Sequence, residues 1–202
     1  MTEFLSTWLW ENKIELLGAI LGLLYIFFSI RQHILTWPTG LFTSLLYIVV
    51  FFQSGFYADM GSQVYYVAIS IYGWYFWLKG GKKDSIVTQE EVPVRKTPQK
   101  ILIYSLLATL VIYGGLLLIL LNFTDSTVPY MDSLTTALSI TATWMLAKKY
   151  IEHWLIWIFV DLLSAGLYVY KELWPTVVLF VVYTLMAVLG YYEWKKDLNK
   201  KN

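Results

Sequence analysis

The chain has 202 residues, of which 58% are apolar and only 14% charged, with a formal net charge of +1. A soluble domain carries about a quarter charged residues, so this composition excludes a water-solvated globule and makes lipid the expected solvent and partner. Cysteine is absent, which excludes disulfides, thiolate catalysis and cysteine-based metal sites, and two histidines are too few for a histidine-rich site. No metal, cofactor or nucleic-acid partner is expected.

The first residues, MTEFLSTWLWENKIE, lack the basic start and small-residue cleavage site of a secretory signal. The apolar run behind them is expected to stay as a membrane helix. A helix needs about 20 mostly apolar residues to span the hydrocarbon core. Segments of this kind run over Ile14–Ile30, Ile34–Phe52 and Tyr57–Leu78. Then comes KGGKKDSIVTQEEVPVRKTPQK, residues 79–100, a polar stretch that reads as a loop joining two halves. A fourth apolar segment covers Ile101–Leu121. The fifth, Tyr130–Ala147, is rich in Thr and Ser. Such a helix is expected inside a bundle, where small hydroxyl residues allow close approach. Trp154–Tyr170 and Trp174–Trp194 complete the set, followed by a basic tail, 195–202. Trp74, Trp77, Trp174 and Trp194 lie near segment ends and read as interfacial anchors.

Seven spans place the loops alternately on two sides. One side then holds thirteen Lys and Arg residues and the other only Lys13 and Lys171. Cytoplasmic loops carry the excess of basic residues, so the N-terminus is expected outside and the C-terminus in the cytoplasm.

Sliding the chain by 117 residues sets Trp37 on Trp154, Tyr66 on Tyr183, Gly73 on Gly190 and Trp77 on Trp194. Arg31-Gln32 falls on Lys148-Lys149. The first three segments thus repeat as the last three. The expected fold is an all-α membrane protein with seven transmembrane helices in a 3+1+3 arrangement. A first repeat covers 14–78, a second 130–194. Residues 79–129 supply the cytoplasmic loop, a linker helix at 101–121 and an external loop. One helix between the triplets makes the repeats parallel, with a substrate site expected near the midplane between halves.

Within HWLIWIFVDLLSAGLYVY the single acid, Asp161, lies about 10 Å into its helix at 1.5 Å per residue. A charge there costs roughly 2.5–3.5 kcal/mol on insertion scales, and such residues usually face a bundle interior or a wet cavity. Trp154, Trp157, Asp161, Ser164 and Tyr168 share one stripe. An acid among aromatic rings is suited to an aromatic cation. The bland alternative is a tie between helices. The repeat puts Ser44 opposite Asp161, so any charge is one-sided. Gln63 and Tyr66 belong to a second stripe, and the Gln63 amide suits a sugar hydroxyl or a carboxamide. Tyr183 and Trp144 are further candidates. Thr141, Thr143 and Thr184 are expected to bond back to their own helices. Neither a Walker loop nor a Gly-rich dinucleotide motif is present, and one acid without a matched base is a poor catalytic set. An enzyme is not expected.

The stretches WPTGLFTSLLYIVVFFQSGFYADMGSQVYYVAISIYGWYFW and HWLIWIFVDLLSAGLYVYKELWPTVVLFVVYTLMAVLGYYEW resemble the PnuC family of bacterial vitamin transporters. The segments YADMGSQVYY and WIFVDLLSAGLY are the most specific. The resemblance implies a SWEET-like fold, a bacterial inner-membrane location and uptake of nicotinamide riboside, with thiamine carried by close relatives. It also implies facilitated diffusion, trapping by a cytoplasmic kinase and a possible homotrimer. Both vitamins are flat aromatic cations, which the Asp161 stripe would suit. A proton-coupled carrier using Asp161 is the alternative mechanism.

Overall fold

The computed structural model describes residues 13–54, 57–79, 92–170 and 172–200. They form seven α-helices: α1 Lys13–Ile30, α2 Thr36–Ser54, α3 Tyr57–Lys79, α4 Gln99–Phe123, α5 Pro129–Ala147, α6 His153–Tyr170 and α7 Trp174–Lys200. Helices are the expected answer to these apolar runs, because a helix satisfies its own backbone where no water is available. Four of them, α2, α4, α6 and α7, are long and apolar enough to cross a membrane. The N-terminal residues 1–12 and most of the joining loop, 80–91, lie outside the described residues.

The helix contacts close a ring. α1 packs on α2, α2 on α3, α3 on α5, α5 on α6, α6 on α7, and α7 returns to α1. Exchanging α1–α3 with α5–α7 leaves this set of contacts unchanged, as two equivalent halves require. α4 stands outside the ring and touches α5. Its buried residues are Ser105 and Thr109, and the Thr109 hydroxyl meets that of Thr141 at 2.6 Å. Its remaining surface is largely exposed and apolar, fit for lipid. The hydroxyl-rich α5 lies inside, with Ser133, Ala137, Ser139, Thr141, Ala142 and Thr143 all buried.

The repeat extends to single hydrogen bonds. Gln32 and Lys149 both take left-handed backbones, φ 53° and 54°. Each is followed by a residue whose N–H reaches five back, His33 to Phe28 and Tyr150 to Met145. These paired bonds satisfy carbonyls that a helix end leaves open. The same turn therefore ends α1 and α5. Beyond it, Trp37 lies over Gly73 and Trp154 over Gly190, where a methyl would come under 3.0 Å from three indole atoms. Each of these indoles meets a second tryptophan edge-on, Trp37–Trp77 at 5.3 Å and Trp154–Trp194 at 5.8 Å.

The second tryptophan of each pair crosses to the other half. Trp77 Nε1 donates to the Ala147 carbonyl at 3.1 Å, and Trp194 Nε1 to the Ser29 carbonyl at 3.0 Å. Both are buried. They are thus ties between halves and not the lipid-surface anchors that their positions suggested, whereas Trp174 is 60% exposed. Lys149 Nζ donates to Gln32 Oε1 at 3.1 Å. These two residues are repeat equivalents, so their contact lies on the axis relating the halves. Gln32 Nε2 in turn donates to Asp197 Oδ2 at 2.7 Å, and the Lys149 ammonium sits 4.5 Å from the Trp77 ring centre.

One feature breaks the equivalence. The end of the joining loop is an extended strap along the α5–α6 turn. Arg95 N–H donates to Lys149 O at 3.0 Å and Arg95 O accepts from Ile151 N–H at 3.1 Å. Thr97 bonds Glu152 Oε2 through its N–H, 2.9 Å, and its hydroxyl, 2.6 Å. Val92 and Val94 are buried beside it.

Candidate functional site

A cavity of about 170 Å³ is lined by four consecutive helices of the ring. Gly22, Tyr25, Ile26 and Ser29 of α1 line one wall, and Leu146 of α5 one corner. His153, Trp154, Trp157 and Asp161 of α6 and Tyr183 and Ala187 of α7 complete it. An apolar cavity of about 150 Å³ admits benzene, so this space has room for one aromatic ring. Along α6 it runs from His153 to Asp161, eight residues or about 12 Å.

Local sequence explains each wall. On α1, Gly18, Gly22, Tyr25 and Ser29 recur at helical spacing and form one face. A side chain at Gly18 would meet the Tyr47 hydroxyl, and one at Gly22 the Tyr183 hydroxyl. The two glycines let phenols from α2 and α7 close on α1. Ser29 is fixed by donating its hydroxyl to Tyr25 O at 2.7 Å. On α6, His153, Trp157 and Asp161 follow i, i+4, i+8 and therefore look the same way. The α6 helix begins immediately after the left-handed turn at Lys149, which aims this face at the ring interior.

The chemistry of the lining is narrow. Asp161 is only 4% exposed, and among the described residues no lysine or arginine lines the cavity. Trp154, Trp157, Tyr25 and Tyr183 supply ring surface around it. A desolvated cation over an aromatic face gains up to about 2 kcal/mol or more. A buried carboxylate strongly prefers a charge partner. The arrangement can hold a flat cation and disfavours a phosphate.

Of the residues singled out in the sequence, Asp161, Trp157 and Tyr183 come together in this cavity. Ser164 is buried three residues beyond Asp161, and Ser44 is buried on α2 at the position equivalent to Asp161. Gln63 and Tyr66 are half-buried on α3, and Tyr66 packs edge-on against Tyr65 at 5.4 Å. Trp144 lies 6.2 Å from the Tyr150 ring and packs on the tryptophan cluster. None of these five lines the cavity. Thr141, Thr143 and Thr184 bond the carbonyl four residues back, as expected. The α1 wall has a sequence signal of its own, the Gly18-Gly22-Tyr25-Ser29 stripe, which the sequence reading above does not use. His153 stands at the edge of the apolar run and carries no such signal.

Residues 12–196 match the family described as the nicotinamide mononucleotide transporter. The nicotinamide riboside transporter PnuC of Escherichia coli K12 is 26% identical, over 90% of this chain and 84% of its own. PnuC of Neisseria mucosa is also 26% identical, over 92% and 73%. The riboflavin/roseoflavin transporter RibM of Streptomyces davaonensis is 24% identical, over 89% and 83%. The crystal structure of the vitamin B3 transporter PnuC shares the fold, with a TM-score of 0.74 at 22% identity, covering 99% of this chain and 88% of that one. This chain therefore belongs to the nicotinamide mononucleotide transporter family and is a membrane transporter, not an enzyme.

Proposed function

We propose that this chain imports nicotinamide riboside across the bacterial inner membrane by facilitated diffusion. The observation that carries the reading is the buried Asp161 carboxylate in a cavity walled by Trp154, Trp157, Tyr25 and Tyr183. That lining suits a pyridinium ring. It does not favour the neutral flavin that the Streptomyces davaonensis relative is named for. The cavity holds one ring, so the ribose needs the walls to part. The halves touch along α1–α7 and α3–α5 and on the axis at Gln32–Lys149. Alternating access then amounts to opening these seams on one side at a time. The Lys149 end is the cytoplasmic end on the charge bias, with the N-terminus outside. Phosphorylation by a cytoplasmic kinase, with no complex required, traps the product. A homotrimer rests on the family resemblance.

Thiamine is the second reading. Among the described residues no Asn or Gln lines the cavity, and Gln63, the residue suited to a carboxamide, lies elsewhere. The deciding experiment is uptake of labelled nicotinamide riboside into proteoliposomes containing this protein alone, competed by unlabelled thiamine and riboflavin. Saturable uptake without a pH gradient, poorly competed by the other two, is the expected result. Stronger competition by thiamine would reassign the substrate. Uptake that requires an inward proton gradient would establish a proton-coupled carrier, and no uptake would remove the proposal.

A further inference from the structure

The halves meet along two seams, and the two are not fastened alike. α3 is tied to α5 at two heights. Near its end Trp77 Nε1 donates to Ala147 O at 3.1 Å. Twelve residues earlier, about 18 Å along the helix, the Tyr65 hydroxyl donates to Ile140 O at 2.8 Å. The Lys148 ammonium adds a further hold, 5.0 Å from the Tyr72 ring centre and 4.2 Å from that of Phe76.

The counterpart seam, α7 on α1, is tied at one end. Trp194 Nε1 donates to Ser29 O at 3.0 Å, and just beyond it Asp197 Oδ2 accepts from Gln32 at 2.7 Å. The repeat puts Val182 where α3 has Tyr65, and Leu189 and Glu193 where it has Tyr72 and Phe76. Valine has no hydroxyl to donate, and leucine and glutamate have no ring to set against a cation. At the height of Val182 the neighbouring Tyr183 hydroxyl abuts Gly22, which has no side chain to bond it.

Two ties about 18 Å apart fix the angle between two helices. Ties gathered at one end leave the other end free to swing. Parting α3 from α5 would also strand the Tyr65 hydroxyl and the Trp77 N–H where lipid offers no partner. Parting α1 from α7 beyond Trp194 gives up dispersion contacts, which are individually small and fewer against a glycine. The cavity lies on this weaker seam. α1 and α7 both wall it, and among the described residues α3 contributes nothing to its lining.

We infer that the α1–α7 seam alone is the passage to the cavity from the side opposite the α1–α2 turn, the outer side on the charge bias. α1 and α7 splay there, pivoting on the ties at Trp194 and Asp197, while α3 and α5 stay joined. This rests on the reading of the cavity as the substrate site and names the seam through which the substrate reaches it. Opening by helix swing at one seam differs from rocking of two rigid halves, which would part both seams together.

The chain has no cysteine, so spin labels can be placed in pairs on an otherwise native protein. Leu17→Cys with Val178→Cys spans α1–α7, and the repeat equivalents, Leu134→Cys with Gly61→Cys, span α5–α3. None of the four positions lines the cavity. In liposomes, pulsed dipolar EPR should give a single distance for the α3–α5 pair, with or without saturating nicotinamide riboside. The α1–α7 pair should give a second, longer population whose weight nicotinamide riboside changes. A short bis-maleimide across the same cysteines supplies a second readout. Joined at α1–α7 it should lower nicotinamide riboside uptake at least about tenfold, and joined at α3–α5 it should leave uptake within about twofold. Equal behaviour of the two label pairs, movement of the α3–α5 pair alone, or uptake that survives the α1–α7 cross-link would overturn the inference. Two α1–α7 populations that nicotinamide riboside leaves unchanged would uphold the seam and instead bring down the reading of the cavity as its site.

Discussion

Gly73→Ala and Gly190→Ala form a paired test of the repeated architecture. Each glycine lies beneath a tryptophan, and an added methyl falls under 3.0 Å from three atoms of a rigid indole. Those indoles are wedged, since Trp37 and Trp154 each pack against another buried tryptophan. Overpacking costs about 1–3 kcal/mol. Replacing glycine by alanine in a helix returns about 1 kcal/mol. Taking the upper part of the overpacking range, the net loss is about 2 kcal/mol. At roughly 2–4 °C per kcal/mol for a chain of this size, each variant should melt about 4–8 °C below the parent. The assay is thermal unfolding in detergent followed by circular dichroism. Gly166→Ala is the control, because its methyl would meet nothing within 4 Å. It should melt at or slightly above the parent. If either tryptophan-facing variant behaves like Gly166→Ala, the indole is not held as described. If the two differ widely from each other, the halves are not equivalent in packing.

Three further outcomes follow from single contacts. Lys149→Met removes the axial bond to Gln32, and a buried charge replaced by an apolar chain is often neutral for stability. The expected effect is on opening: a thiol introduced at Ser29, in a chain with no native cysteine, should react faster with a water-soluble maleimide in this variant. Equal reaction rates would show that the axial contact does not close that end. Gly22→Ala should push the Tyr183 hydroxyl from its seat on α1 and lower uptake several-fold with little change in expression; unchanged uptake would remove Tyr183 from the site. Thr97→Ala deletes a 2.6 Å bond to Glu152, worth about 1 kcal/mol, and should lower the Tm by about 2–4 °C. No change would show that the strap does not brace the α5–α6 turn.

Much of this fold was legible because lipid leaves so few choices. Long apolar runs in a chain without enough charge to face water must be helices, and Trp37, Gly73 and Trp77 reappear 117 residues later with their spacing intact. The closed ring was less accessible, because the α1–α7 and α3–α5 contacts join segments far apart in the chain. Trp77 and Trp194 show one limit of composition. An indole N–H near a helix end seeks an acceptor, and a headgroup and a buried carbonyl in the opposite half meet that need equally well. Gln63 shows another. Its place on a helix stripe does not say which seam that stripe lines. The α1 wall was hidden for the opposite reason. Gly18 and Gly22 carry little chemistry of their own and act by making room for Tyr47 and Tyr183.

The most direct measurement is calorimetric binding of nicotinamide riboside to the purified protein and to Asp161→Asn. Truncating one member of a buried charge pair costs about 2–5 kcal/mol, so the variant should bind at least about tenfold more weakly. Folding should be unchanged, because asparagine fills the same space. Affinity that survives the substitution would contradict the account and leave Asp161 as a link between helices.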